Sequence, residues 1–281
     1  MRDLRALGIL THLTLHEAMR RRILHAALLG GAAFLALYAV GFHFVARQAE
    51  THRAMTPLER TVVYNMFTLA GLYAVSRLVM LAAVLLPVDT ISGEIASGVM
   101  QTLASKPVRR AHIVLGKWLG HWLVMAGYCL LLAGGVLAIA RLRAGFTPPG
   151  VATGLPLILL GGTVMLSLSI AGGTRLSTIT NGLAAFGLYG LAFIAGWVEQ
   201  IGALTGNDAT RVIGTLVSLV MPAEALWQRA AHFMQPPLMA QLAATPFSPA
   251  SVPSAAMVWW SVGWVLAALG GAVAAFRRRP L

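Results

Sequence analysis

The chain has 281 residues, of which 58% are hydrophobic and only 11% charged, and its mean hydropathy is +0.76. A soluble domain carries roughly 25% charged residues, so this chain cannot clothe a globule in water and its natural solvent is lipid. The charge that remains, 21 Lys and Arg against 9 Asp and Glu, sits in short clusters at the ends of apolar runs. That pattern is membrane topology, and no nucleic-acid partner is expected.

Residues 1–22 mix Leu4, Leu7, Leu10 and Leu15 with Arg5, His12, His16 and Arg20–Arg22. They read as an amphipathic helix on the inner leaflet. His12 and His16 stand one helical turn apart beside Glu17, but no third ligand accompanies them. They read as interfacial polarity, and no metal site is expected.

A bilayer core of about 30 Å needs about 20 apolar residues of helix. Six runs qualify within residues 23–276: Ile23–Val45, Met66–Leu86, Ile113–Ala140, Thr153–Gly173, Ile179–Val198 and Ala255–Phe276. The fold class is therefore all-α, with six transmembrane helices and a basic tail at 277–281. The first run has a long charged preamble and no clear cleavage site, and does not read as a cleavable leader. His43 and His52, with Met55 and Met66, are assigned no copper role, because methionine is common in membrane bundles.

The second run carries Arg77 at depth. Arginine at a helix centre costs about 2.5–3.5 kcal/mol, and the surrounding Leu and Val side chains return about 3–5 kcal/mol, so the span inserts. Arg77 is expected to line a translocation cavity or to pair with an acidic group near the outer leaflet.

Segment 89–110 follows Pro87. Asp89, Thr90 and Ser92 offer N-caps, and Glu94 suits the first turn of a helix. Ile91, Ile95, Val99 and Leu103 recur every fourth residue, with Glu94, Ser97 and Gln101 away from that stripe. The spacing predicts a short amphipathic helix ended by Pro107. Its physics suits passing a push from a soluble partner to the adjoining spans.

The third run contains Cys129, the single cysteine, which reads as a packing residue. Between the fifth and sixth runs, segment 199–254 holds a short apolar stretch, Val212–Met221, ended by Pro222. That stretch is too short to cross, and predicts an interfacial or re-entrant helix on the outer side.

Thirteen basic residues fall on one set of loops, including Arg20–Arg22, Lys106, Arg109, Arg110, Lys117, Arg175 and Arg277–Arg279. Seven fall on the other, among them Arg47, Arg143 and Arg211. The richer side is cytoplasmic by the positive-inside rule, which puts both termini inside. Trp118 and Trp122 at the inner level, and Trp197, Trp259, Trp260 and Trp264 at the outer, suit headgroup belts.

The order Glu94, Gly98, Ser105, Pro107, Arg110, Gly116 and Lys117 resembles the signature of ABC-2 type transporter permeases. Glu17-Ala-Met-Arg-Arg-Arg22, Thr174-Arg-Leu-Ser-Thr178 with Asn181-Gly182, and Met221-Pro-Ala-Glu-Ala-Leu-Trp227 extend the resemblance over most of the chain. The wording is similar to the subgroup associated with multi-copper enzyme maturation and nitrous-oxide reductase assembly. Val99-Met100 stands where Thr-Leu is commoner.

The resemblance implies a type V exporter-like permease fold in the cell's inner membrane. It implies that segment 89–110 is a coupling helix docking on a separate ABC-type ATPase, with Glu94, Gly98, Val99, Leu103, Ser105, Pro107, Arg110 and Lys117 at the coupling site. The implied partners are that ATPase, a second permease copy or paralogue, and membrane lipid. ATP would be bound by the partner, since Gly116-Lys117 is followed by Trp118 and no G-x-x-x-x-G-K-[ST] loop exists. No cofactor and no catalytic residue are expected in this chain. The competing expectation is an ATPase-independent polytopic transporter, which would show charge-lined, broken spans at mid-membrane.

Overall fold

The computed structural model describes residues 2–51, 55–100, 109–236 and 249–279. The elements in chain order are α1 (Arg2–Arg20), α2 (Arg22–Thr51), α3 (Pro57–Leu85), α4 (Ser92–Ala96) and α5 (Arg110–Ala144). There follow α6 (Val151–Gly173), α7 (Thr178–Thr205), α8 (Asp208–Val220), α9 (Ala223–Phe233) and α10 (Ala255–Arg278). No strand occurs among the described residues. Among the described residues six helices, α2, α3, α5, α6, α7 and α10, are long and apolar enough to cross a membrane.

α3 and α6 are the central spans, and α2, α7 and α10 lie at the periphery. The core is Leu69, Leu72, Val75 and Val79 of α3 against Met125, Leu132 and Val136 of α5 and Ile158, Val164 and Leu166 of α6. Outward leucines, such as Leu29, Leu37, Leu130 and Leu191, are exposed, as lipid-facing side chains are.

Helix ends depart from the apolar runs where capping chemistry decides them. α3 begins nine residues before Met66, because Thr56 and Glu59 form a capping box with Pro57 in the first turn. Thr56 Oγ1 accepts from Glu59 N at 3.3 Å, and Glu59 Oε2 accepts from Thr56 N at 2.7 Å. α7 runs on past Val198 to Thr205, so Glu199 is a helical residue and not the start of a loop.

α1 docks along the first half of α5. Gly116 and Gly120 make room for it: a Cβ on Gly116 would stand 2.6 Å from Leu10 Cβ, and one on Gly120 2.7 Å from Thr14 Cβ. Small residues one turn apart let two backbones approach within a membrane protein. Ile9, Leu13 and Met19 remain exposed on α1, an apolar face suited to lipid.

α8 and α9 form a hairpin bent by 109° at Met221–Pro222. α8 descends antiparallel to α7, with Gly202 against Thr210 and Gly214 against Glu199. Glu224, just past the bend, meets Gly196, which lies roughly 14 Å along α7 from Thr205. α9 then climbs back beside α6, from Ala223 near Gly161 to Met234 near Gly154. The pair enters and leaves by the same end of the bundle, a re-entrant hairpin. Trp260 and Trp264 of α10 donate to Leu219 O at 2.8 Å and Val220 O at 3.0 Å. These carbonyls close α8 at the proline break, where a helix end inside lipid needs donors from elsewhere.

Candidate functional site

At the arginine-rich end, the segment after α3 folds into the bundle instead of lying beneath it as one helix. α4 is five residues long, and the chain then turns at Gly98, whose φ of +76° is left-handed. This corrects the expected continuous stripe of Ile91, Ile95, Val99 and Leu103. After the turn Met100 is fully buried and Val99 is half-exposed. Ile91 and Met100 pack with Ile113 and Val114 of α5, Ile170 of α6 and Phe276 of α10. Leu103, Ser105 and Pro107 lie outside the described residues.

The three residues offered as N-caps find tertiary partners instead, and Ile91 stands at the N-cap with no side-chain bond. Asp89 is paired with Arg21, whose other nitrogen reaches Glu17 of α1 at 2.5 Å. Thr90 Oγ1 meets His121 Nε2 at 3.2 Å, and Ser92 Oγ meets Thr178 Oγ1 at 2.8 Å. Four elements, α1, α5, α7 and the segment itself, are thereby joined through one short stretch.

Glu94 points inward, where Lys117 Nζ donates to its Oε1. Both side chains are largely buried, and Glu94 Oε2 has no partner among the described residues. Burial raises the Glu94 carboxyl above the ordinary carboxylate range, and the Lys117 charge offsets this only in part. Ala96 and Ser97 face outward. Arg110 caps α10: its Nη1 donates to the carbonyls of Phe276, Arg277 and Arg279 at 3.2, 3.1 and 2.7 Å.

Arg77 occupies a second polar cluster, within the spans. Its Nη1 donates to Glu224 Oε2 at 2.5 Å and to Tyr189 Oη, and its Nε donates to Ser76 Oγ at 3.2 Å. The guanidinium lies 4.4 Å from the Tyr73 ring centroid, with Tyr189 and Phe193 at 5.7 and 5.8 Å. Arg77 thus ties α3 to the tip of the re-entrant hairpin and to α7. No group of three or more metal-ligating side chains occurs among the described residues.

Residues 6–281 match the sequence profile described as ABC-2 family transporter protein. The chain belongs to the ABC-2 transporter family. A curated relative, the probable ABC transporter permease protein NosY of Stutzerimonas stutzeri, is 34% identical over 119 residues, which are 42% of this chain and 41% of that protein. The chain thus matches about two fifths of the length of that relative. This ABC-2 transporter chain is a multi-pass membrane protein, with six candidate spans among its described residues.

Of the expected coupling residues, the transporter brings Glu94 and Lys117 into one ion pair, places Gly98 at a turn and Val99 beside it, and sends Arg110 to α10. Sequence reasoning missed Glu224 as the partner of Arg77, and the roles of Arg21, Asp89, His121 and Gly120. A signal for Glu224 existed: the chain has only nine acidic residues, and Glu224 stands three residues after the short apolar stretch Val212–Met221.

Proposed function

We propose that this chain is the membrane-spanning permease subunit of an ATP-driven ABC-2 transporter, working as an exporter, with ATP bound and hydrolysed in a separate ATPase subunit. The observation that carries the reading is the buried Glu94–Lys117 pair, which fixes α4 to α5. A push on the outward face at Ala96 and Ser97 then moves α5, and through Asp89–Arg21–Glu17 it also moves α1. Residues 89–110 are thus the coupling segment, with Glu94 and Lys117 as its anchor and Gly98 and Val99 at its bend. Family membership and the likeness to a relative named as an ABC permease support the ATPase partner.

Arg77 acts at the translocation cavity as half of a pair, holding the re-entrant hairpin against α3 until transport separates them. A second copy or paralogue completes the pathway. The chain lies in the inner membrane with both termini cytoplasmic, following the arginine bias. The test is co-expression of this chain with its ATPase. Mild-detergent purification should recover both, and Ala96→Arg should release the ATPase while leaving permease yield unchanged. Recovery without any nucleotide-binding subunit would favour the ATPase-independent reading.

A further inference from the structure

A cleft of about 380 Å³ opens at the arginine-rich end between the α6–α7 turn and the end of α10, lined by Thr174, Arg175, Ala275, Arg278 and Arg279. Arg279 is held there, its Nη1 donating to Thr174 O at 2.6 Å. Arg175 and Arg278 are exposed, and neither side chain has an ion pair or hydrogen bond among the described residues. Among the described residues no carboxylate lines the cleft. Three guanidiniums from two elements therefore converge on one space with no described carboxylate to neutralise them, an arrangement that calls for an anion.

The surroundings say which anion. The cleft sits where three spans end, the level of lipid headgroups. From Arg175, exposed Leu176 in the turn leads to Ile179 and Leu183, one helical turn apart on α7 and exposed by 80% and 75%. An apolar stripe leading away from a basic cleft matches one molecule with a phosphate head and an acyl tail. We propose that this cleft binds the phosphate headgroup of an anionic phospholipid, whose tail lies along the exposed stripe of α7. Bound there, the lipid bridges the α6–α7 turn and the end of α10.

The test is native mass spectrometry of the full chain, purified in mild detergent and offered phosphatidylglycerol or phosphatidylcholine. Wild type should retain phosphatidylglycerol at least roughly 10-fold better than phosphatidylcholine, as a multi-arginine site requires. Arg175→Gln/Arg278→Gln keeps the Arg279–Thr174 tie and should weaken retention about 25-fold, near 5-fold per arginine. Arg143→Gln/Arg211→Gln, at the opposite end, should retain lipid as wild type does, and equal melting temperatures of the two variants would show both folded. Equal retention of the two lipids, or unchanged retention in the cleft variant, would overturn the site. Displacement by millimolar inorganic phosphate would reassign it to soluble anions, and capture of an acidic peptide in place of lipid would reassign it to a protein partner.

Discussion

Glu94 and Lys117 neutralise one another in a place where neither is easily left alone. At Glu94 burial outweighs the Lys117 charge, so removing Lys117 leaves a buried carboxylate with nothing to offset it. Lys117→Met removes the charge that partly offsets the burial of Glu94 and should lower stability more than Glu94→Gln, and the double variant should recover part of the loss. A double-mutant cycle on thermal melts in detergent should give a coupling above about 1 kcal/mol; additive losses would dissolve the pair. The pH dependence has a definite sign. With its folded value raised by burial, Glu94 contributes fully below the ordinary carboxylate range, and that contribution is lost as pH rises through the raised value. Wild type should therefore gain stability relative to Glu94→Gln as pH is lowered from about 7 to about 5. At this scale the sequence named Glu94 as a first-turn acid off the apolar stripe, and Gly116 and Lys117 through resemblance. That two of them meet, and that Gly116 seats α1, depends on helix packing across residues with no local signal between them.

Among the elements, α1 and the re-entrant hairpin are the ones whose placement rests on few atoms. Gly116 and Gly120 admit α1 at distances no side chain tolerates, whereas Gly127 on the same helix has nothing within 4 Å of its would-be Cβ. Gly120→Val should detach α1 and expose it to protease in detergent, while Gly127→Ala should stabilise α5 by about 0.5–1 kcal/mol. Equal protection of α1 in both variants would contradict the docking. For the hairpin, Trp260→Phe with Trp264→Phe removes two donors and leaves the Leu219 and Val220 carbonyls unpaired. That should cost about 2 kcal/mol or more in thermal stability, with a drop near experimental error arguing that the carbonyls find other donors. The spans were legible because an apolar run is a local property of the chain. The early start of α3 was not read, although Thr56-Pro-Leu-Glu59 carries it, since a capping box overrides hydropathy at a helix end. The break at Gly98 was not read, because a four-residue stripe fits a continuous helix equally well and only tertiary burial of Met100 decides against it.

For the whole molecule, the two polar clusters divide the labour. Arg77–Glu224 ties the re-entrant hairpin to the central span α3, and the Glu94–Lys117 and Arg21–Asp89 pairs tie the segment after α3 to α5 and α1. Between them runs the nine-residue stretch of α3 from Arg77 to Leu85, about 12 Å of rigid helix. A displacement at α4 therefore has a stiff route to the hairpin, which is the mechanical content of the proposed function. The measurement that tests it most directly is site-specific crosslinking at the outward face of α4. Cys129, the single native cysteine, is buried, so a cysteine introduced by Ala96→Cys can be labelled selectively. In membranes holding both subunits, a crosslinker at that position should capture the ATPase, and trapping with a non-hydrolysable nucleotide should change the yield. Capture of no nucleotide-binding protein, with the same reagent reaching the position only from the opposite side of the membrane, would contradict the account.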